Sequence, residues 1–443
     1  MRHRMRSSAG GIAAVVALAL LGGCSGPGSQ TGSSPRPSAS DGPSAAAPAS
    51  VSPSGTASAA QAGAIIRAYE FPGGMIEGAE GGGPLYTRVQ GLIAVPTTPG
   101  PHATVVFIHG SYPSCVDIAQ DKLLTREVLT TPWEEGCGTK RLSNEDGITE
   151  GPDYVRTPAS WAYLAQTLAE RGFAVVVPDV NTKERLAWGG APDPVVLQTN
   201  LAKLHLDIAR RLSAGEDLGL PFAADLTGRI DTSQTYLVGH SSGGGYVVAA
   251  ALGDQIPGLK GVVAIEPNLT HTEKAVPALV PSLVIAGECD EQIALAEVLG
   301  GSKELATTNP GAVVITATLP STTHIGLLDG GGSHKIGLVQ PVRTPTCADG
   351  ALLPKEVQRS QAAEMTAAFL DQVRKGGTSF TLPALSGVKV EATAQTGAAT
   401  VTVAPSTAGP EAMDPHRVTS DTSSRAWLPE KPADMDLAAP DGI

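Results

Sequence analysis

Three residues stand in the types and order that nucleophilic catalysis needs. Gly239, His240, Ser241, Ser242 and Gly243 spell G-x-S-x-G, Asp290 follows in GECD and His324 in STTH. A serine hydroxyl is a poor nucleophile at neutral pH. It needs a base within hydrogen-bond reach and a third group to orient that base. The pentapeptide alone arises readily by chance in a chain with 52 glycines, so its weight comes from its surroundings. The pattern works when a strand precedes it and a helix follows, because the serine then occupies a strained turn where flanking side chains would collide with the neighbouring chain. TYLVG before it reads as a strand and GGGYVVAAALG behind it as a helix. Such a turn raises the Ser241 hydroxyl above the carboxyl end of a sheet. It also aims helix-terminal N–H groups, including that of Ser242, at negative charge developing on a substrate oxygen.

Asp290 closes the strand-like SLVIAGE and His324 follows the next one, AVVITATL, which predicts both at the same sheet edge as Ser241. Each has a competing reading. Asp290 also suits the N-cap of a helix over EQIALAEVLG, with Glu288 and Glu266 as rival acids. His334, in the glycine-rich GGGSHKIG, is the rival base. The second oxyanion donor is expected after VVFIHG, where Gly110 permits close backbone approach and the N–H of Ser111 or Tyr112 turns inward. His109 reads as a brace for that loop, and His205, on a helix, as a packed or surface residue.

These residues require an element order that can bring them together. From about residue 64, short apolar runs alternate with helical stretches, the pattern of a mostly parallel sheet covered on both faces. AIIRAYEF and YTRVQGLIAVP predict an opening antiparallel hairpin. Buried strands follow at ATVVFIHG, FAVVVPDV, TYLVG, GVVAIEP, SLVIAGE and AVVITATL, and helices near 157–172, 200–215, 243–253 and 291–300 and over VQRSQAAEMTAAFLDQVRKGG. TSFTLPAL, VKVEATAQ and ATVTVAP read as edge strands, the last two turning at Thr396-Gly397.

HG at 109–110, GHSSG at 239–243, GECD at 287–290 and the histidine of STTH at 321–324 resemble, in this order, the α/β-hydrolase family in its serine-esterase form. ASWAYLAQTLAERGFAVVVPDVN is similar to a segment of actinobacterial secreted hydrolases related to platelet-activating-factor acetylhydrolase and polyester hydrolases. The resemblance implies an α/β fold with the catalytic set Ser241, His324 and Asp290. It also implies backbone donors at Ser242 and at Ser111 or Tyr112, and hydrolysis of carboxylic esters through an acyl-enzyme, without cofactor or metal. About fifteen residues separate GVVAIEP from SLVIAGE, too few for a large lid domain, and an uncovered site favours small or moderately sized esters. An amidase or peptidase on the same triad, and a non-catalytic surface lipoprotein of the same fold, are the alternatives.

The remainder of the chain bears on location. Arg2, Arg4 and Arg6 precede the apolar GIAAVVALALL, too short to span a bilayer comfortably, and Cys24 follows. This resembles a bacterial lipoprotein signal, with Cys24 the lipidated residue. The expected location is the outer face of the cytoplasmic membrane, or, with a plain signal peptide, outside the cell. Residues 25–63 are rich in Ser, Pro, Gly and Ala and form a flexible linker with a reach of roughly 35 Å. The expected divisions are thus 1–24 signal, 25–63 linker, 64–376 catalytic domain and 377–443 an extension, partly β and then disordered. Export favours disulfides among Cys115, Cys137, Cys289 and Cys347; of three pairings, Cys115 with Cys137 and Cys289 with Cys347 close local loops. A formal charge of −12 disfavours nucleic acid and anionic lipid surfaces, leaving a small ester as the expected partner of a monomer.

Overall fold

Alternate side chains along each central strand belong to different cores, and this period of two explains the continuous apolar runs. On one strand Val105 and Phe107 face one core while Val106 and Ile108 face the other. The computed structural model describes residues 63–77, 84–111, 143–144, 147–148, 157–180, 194–253, 256–269, 280–309, 311–329, 347, 351–376, 379–394 and 400–404. All of these lie in the second of two units into which the chain divides, 59–443. Cys24, Tyr112, Cys115, Cys137 and His334, with the proposed signal and nearly all of the linker, lie outside the described residues.

In chain order the strands are β1 (Ala64–Glu77), β2 (Pro84–Pro96), β3 (His102–Ile108), β4 (Ser143–Asn144), β5 (Gly147–Ile148), β6 (Ala174–Pro178), β7 (Ile230–His240), β8 (Leu259–Ile265), β9 (Ser282–Gly287), β10 (Val313–Leu319), β11 (Ser379–Pro383), β12 (Lys389–Ala394) and β13 (Thr400–Ala404). The helices are α1 (Ala162–Glu170), entered through a 3-10 turn at Thr157–Trp161, then α2 (Pro194–Ser213), α3 (Ala223–Leu226), α4 (Ser242–Leu252), α5 (Leu295–Thr308) and α6 (Lys355–Arg374). Nine strands form one sheet in the order β1-β2-β6-β3-β7-β8-β9-β10-β12. From β6 through β10 neighbours are parallel, while β1, β2 and β12 join antiparallel.

One face carries α2, α4 and α5 through Leu197, Leu201, Val247 and Val298; the other carries α1 and α6 through Leu164, Leu168, Met365 and Phe369. Burying each such large apolar side chain stabilises the fold by about 1.5–3 kcal/mol relative to leaving it exposed. Three elements differ from the sequence reading. α2 begins at Pro194, which suits a first helical turn because the missing N–H has no intrahelical partner there. α5 begins at Leu295 rather than near Glu291, because the intervening residues form a turn anchored on Asp290. β12 and β13 do not form the expected hairpin: β12 pairs with β10, and β13 lies parallel to β11. The central sheet therefore extends past residue 376. Among the described residues no helix is long and apolar enough to cross a membrane.

Candidate active site

β7 ends at His240, and Ser241 turns the chain sharply into α4. Ser241 has φ 58° and ψ −126°, a conformation that side chains disfavour and that surrounding bonds must hold. Its N–H donates to the Ile265 carbonyl at 2.9 Å, and its own carbonyl accepts from Gly245 at 3.2 Å and Asn268 at 3.0 Å. The flanking glycines are required by contact. A Cβ on Gly239 would stand 2.3 Å from the Gly243 carbonyl oxygen, and one on Gly243 would stand 2.2 Å from that of Ile108.

The end of β3 closes on this turn from the other side. A Cβ on Gly110 would lie 2.8 Å from Ser241 Cβ, so only glycine lets that backbone come so close. His109 braces the approach. Val180 N–H donates to its Nε2 at 2.9 Å, which leaves the Nδ1 proton to donate to the Gly110 carbonyl at 2.8 Å. Ser111 and Ser242, two of the three residues proposed as backbone N–H donors, are linked through their hydroxyls at 2.7 Å.

Asp290 and His324 meet at the same edge. His324 Nδ1 donates to Asp290 Oδ2 at 2.9 Å, and both residues are buried. Asp290 Oδ1 accepts the N–H groups of Gln292 and Ile293 at 2.7 and 2.8 Å, so the capping role and the contact with histidine coexist in one carboxylate. The histidine turn is held by further acids. Glu291 accepts the N–H groups of His324 at 2.9 Å and Ile325 at 3.1 Å, and Glu288 accepts that of Ser321 at 3.1 Å. Cys289 is joined to Cys347 by a disulfide, which ties the chain beside Asp290 across a separation of 58 residues.

The Ser241 hydroxyl makes no hydrogen bond with His324 among the described residues. Catalytic hydrogen bonds are often long before substrate binds. Behind the two residues lies a buried aromatic column. The His240 ring stands 4.4 Å from that of His324 and 4.9 Å from that of Trp161, centroid to centroid. Burial pushes His240 well below the ordinary imidazole range, and positive charge on His324 or His109 would push it the same way.

Glu266, just past β8, is fully buried with φ 43°, and its Oε2 lies 3.4 Å from both His240 Nε2 and His324 Nδ1. Burial raises its carboxyl well above the usual range, and the Asp290 and Glu291 charges raise it further. His240, Glu266 and His324 are also the set of described residues whose ligand types and spacing fit a metal, but their donor atoms already face one another, and His324 Nδ1 is engaged by Asp290. The sequence reading misses Glu291 and the joint approach of Glu266 and Asp290 to one ring nitrogen. The acidic run ECDE after β9 is the local signal for the first; the second depends on the packing of β8 against β9.

Six parallel strands, with serine on the turn after β7, acid after β9 and histidine after β10, define an α/β-hydrolase fold. A family described as PET hydrolase-like matches residues 139–300, a span that includes Ser241, Glu266 and Asp290 and stops before His324. Over 145 residues, 32% of this chain, the sequence is 32% identical to the cutinase est2 of Thermobifida alba, covering 41% of that protein. Over the same length it is 31% identical to cutinase 2 of Thermobifida cellulosilytica, covering 47% of it, and to the cutinase cut1 of Thermobifida fusca, covering 39%. The matched segment thus spans less than half the length of these relatives.

Proposed function

We propose that this chain is a serine hydrolase of carboxylic esters. The observation that carries the proposal is the buried His324–Asp290 hydrogen bond of 2.9 Å at the sheet edge where Ser241 is held in its strained turn. Similarity to proteins named cutinases and to a PET hydrolase-like family supports an ester as the bond cleaved. In this reading Ser241 Oγ attacks the ester carbonyl while His324 Nε2 takes the hydroxyl proton. The tetrahedral oxyanion receives hydrogen bonds from the N–H groups of Ser242 and of Ser111 or Tyr112. Collapse expels the alcohol, which takes the proton from His324. Water, deprotonated by the same nitrogen, then releases the carboxylic acid and restores Ser241. Asp290 keeps the ring in the tautomer with its proton on Nδ1 and stabilises the imidazolium.

Export on a lipidated Cys24, with residues 25–63 as tether and a catalytic part that runs from residue 64 through β12, completes the proposal; Cys24→Ser should release the protein from membranes. Catalysis is tested by labelling with a fluorophosphonate and by hydrolysis of p-nitrophenyl acetate. Ser241→Ala should abolish both, and a variant that keeps either at the wild-type level overturns the assignment.

A further inference from the structure

The proposed mechanism uses one carboxylate at His324 Nδ1, yet two approach it. We propose that Glu266 is a second acid for His324: a positioning residue that fills the space between His240, His324 and Gly287 and takes over the Nδ1 hydrogen bond when Asp290 cannot accept it. The inference rests on the serine-hydrolase reading above and assigns Glu266 a part in it.

The geometry argues for a built position. Glu266 Oε2 stands 3.4 Å from His324 Nδ1, against 2.9 Å for Asp290 Oδ2, so a small ring or carboxyl movement exchanges the two acceptors. The other oxygen, Oε1, has no hydrogen-bond partner among the described residues and is buried. Room for it is made by Gly287, where a Cβ would stand 2.1 Å from Oε1. A buried carboxyl oxygen without a partner is costly, as is the positive φ of 43° that delivers the side chain here. A glutamate retained only for packing would be better replaced by an apolar residue.

The two acids meet different hydrogen-bond donors. Asp290 accepts two backbone N–H groups besides the imidazole. Glu266 accepts no backbone N–H among the described residues, and its Oε2 is hydrogen-bonded with His240 Nε2 at 3.4 Å. It faces Asp290 and Glu291 beyond β9, His240 at the end of β7, His324 beyond β10, and the field of Tyr163 on α1. Two carboxylates this close in a dry site do not both ionise, so Glu266 holds its proton in the intact site. Removing the Asp290 charge removes one cause of that retention. Burial, the larger cause, remains, so Glu266 releases its proton to solvent only as the pH rises and then accepts the Nδ1–H bond as an anion.

The test is a double-mutant cycle read by kcat with p-nitrophenyl acetate. Glu266→Gln, isosteric with the neutral acid, should change kcat less than about threefold. Asp290→Asn should lose about 10²-fold, while the double variant should approach the roughly 10⁴-fold loss of a triad without its acid. In Asp290→Asn, kcat/KM should rise with pH along a further limb, besides that of the base His324, which the double variant lacks and a packing role would not produce. Thermal unfolding shows whether each variant is folded. If Gln is not tolerated, Glu266→Asp in the Asp290→Asn background withdraws the carboxylate from the ring and should give the same further loss. The inference is overturned if the second substitution leaves Asp290→Asn within twofold, or if the further limb, beyond that of His324, persists in the double variant. Ser241→Ala separates the readings: activity without Ser241 defeats the hydrolase proposal itself, whereas an inactive Ser241→Ala beside a flat cycle defeats only Glu266.

Discussion

Two buried histidines lie beside aspartates at the carboxyl edge of this sheet, His324 with Asp290 and His109 with Asp179. In the first pair, Nδ1 donates directly to Asp290 at 2.9 Å, and Nε2 makes no hydrogen bond with a described residue. In the second, the nitrogen nearer the aspartate, 3.6 Å from Asp179 Oδ1, already accepts Val180 N–H, and the other donates to the Gly110 carbonyl. His109 therefore has both nitrogens committed to backbone and nothing left with which to move a proton. Asp179 is itself held by the Gln90 side chain and donates its N–H to the Gln90 carbonyl. The same two residue types form a frame on one side of Ser241 and, in the proposed mechanism, the acid–base pair on the other. What separates them is which nitrogen the backbone occupies.

The largest expected effect tests that division. His324→Ala should lower kcat by about 10³–10⁴-fold with little change in fold, the scale seen when a triad member is removed. His109→Gln should instead destabilise the fold by about 1–3 kcal/mol of lost buried hydrogen bonding, seen as a lower unfolding temperature, while kcat stays within about tenfold. Equal losses of turnover in the two variants would erase the distinction drawn between them.

A smaller effect is expected from the covalent tie next to Asp290. Because Cys289 precedes the acid directly and pairs with Cys347, Cys347→Ser should destabilise the fold by about 2–4 kcal/mol and loosen the acid turn. Denaturant unfolding measures the first. A kcat loss that stays below about tenfold while stability drops would show that Glu291, Glu288 and the backbone donors to Asp290 hold the histidine turn without the disulfide.

Legibility followed the range of the interaction. The central strands are readable because each is an unbroken apolar run whose residues feed both cores, and the turn at Ser241 because its glycines are demanded within five residues of one another. Asp290 and His324 are legible as candidates because each follows a strand. The start of α5 is not, since EQIA has helical residue types and only the Asp290 carboxylate bonding to Gln292 and Ile293 makes it a turn. Nor is the pairing of β12 with β10, which competes with a plausible local hairpin and prevails through contacts distant in sequence. Glu266 reads as a rival to Asp290, whereas in the fold the two stand around one nitrogen.

A third buried histidine extends the comparison to pH. His205 on α2 meets the Tyr69 hydroxyl through Nδ1 at 2.5 Å, and its Nε2 has no partner among the described residues. Burial lowers its pKa to about 3, against a weaker upward pull from the Asp179 charge. The unfolded chain takes up this proton near pH 6.5, well before the folded one does. Between those values the unfolded state binds more protons, so stability rises with pH. His205's contribution is complete above about pH 6.5, is lost progressively as the pH falls towards 3, and does not change below it. His205→Gln keeps a hydrogen-bonding side chain opposite Tyr69 but removes the titration, so its unfolding midpoint should fall less steeply between pH 6.5 and 4 than that of the wild type. Parallel curves would mean that His205 is no acid-sensitive part of the frame. A flatter curve for the variant, with hydrolysis at neutral pH unchanged, would place His205 with His109 as a structural histidine and leave His324 as the imidazole that works by changing charge.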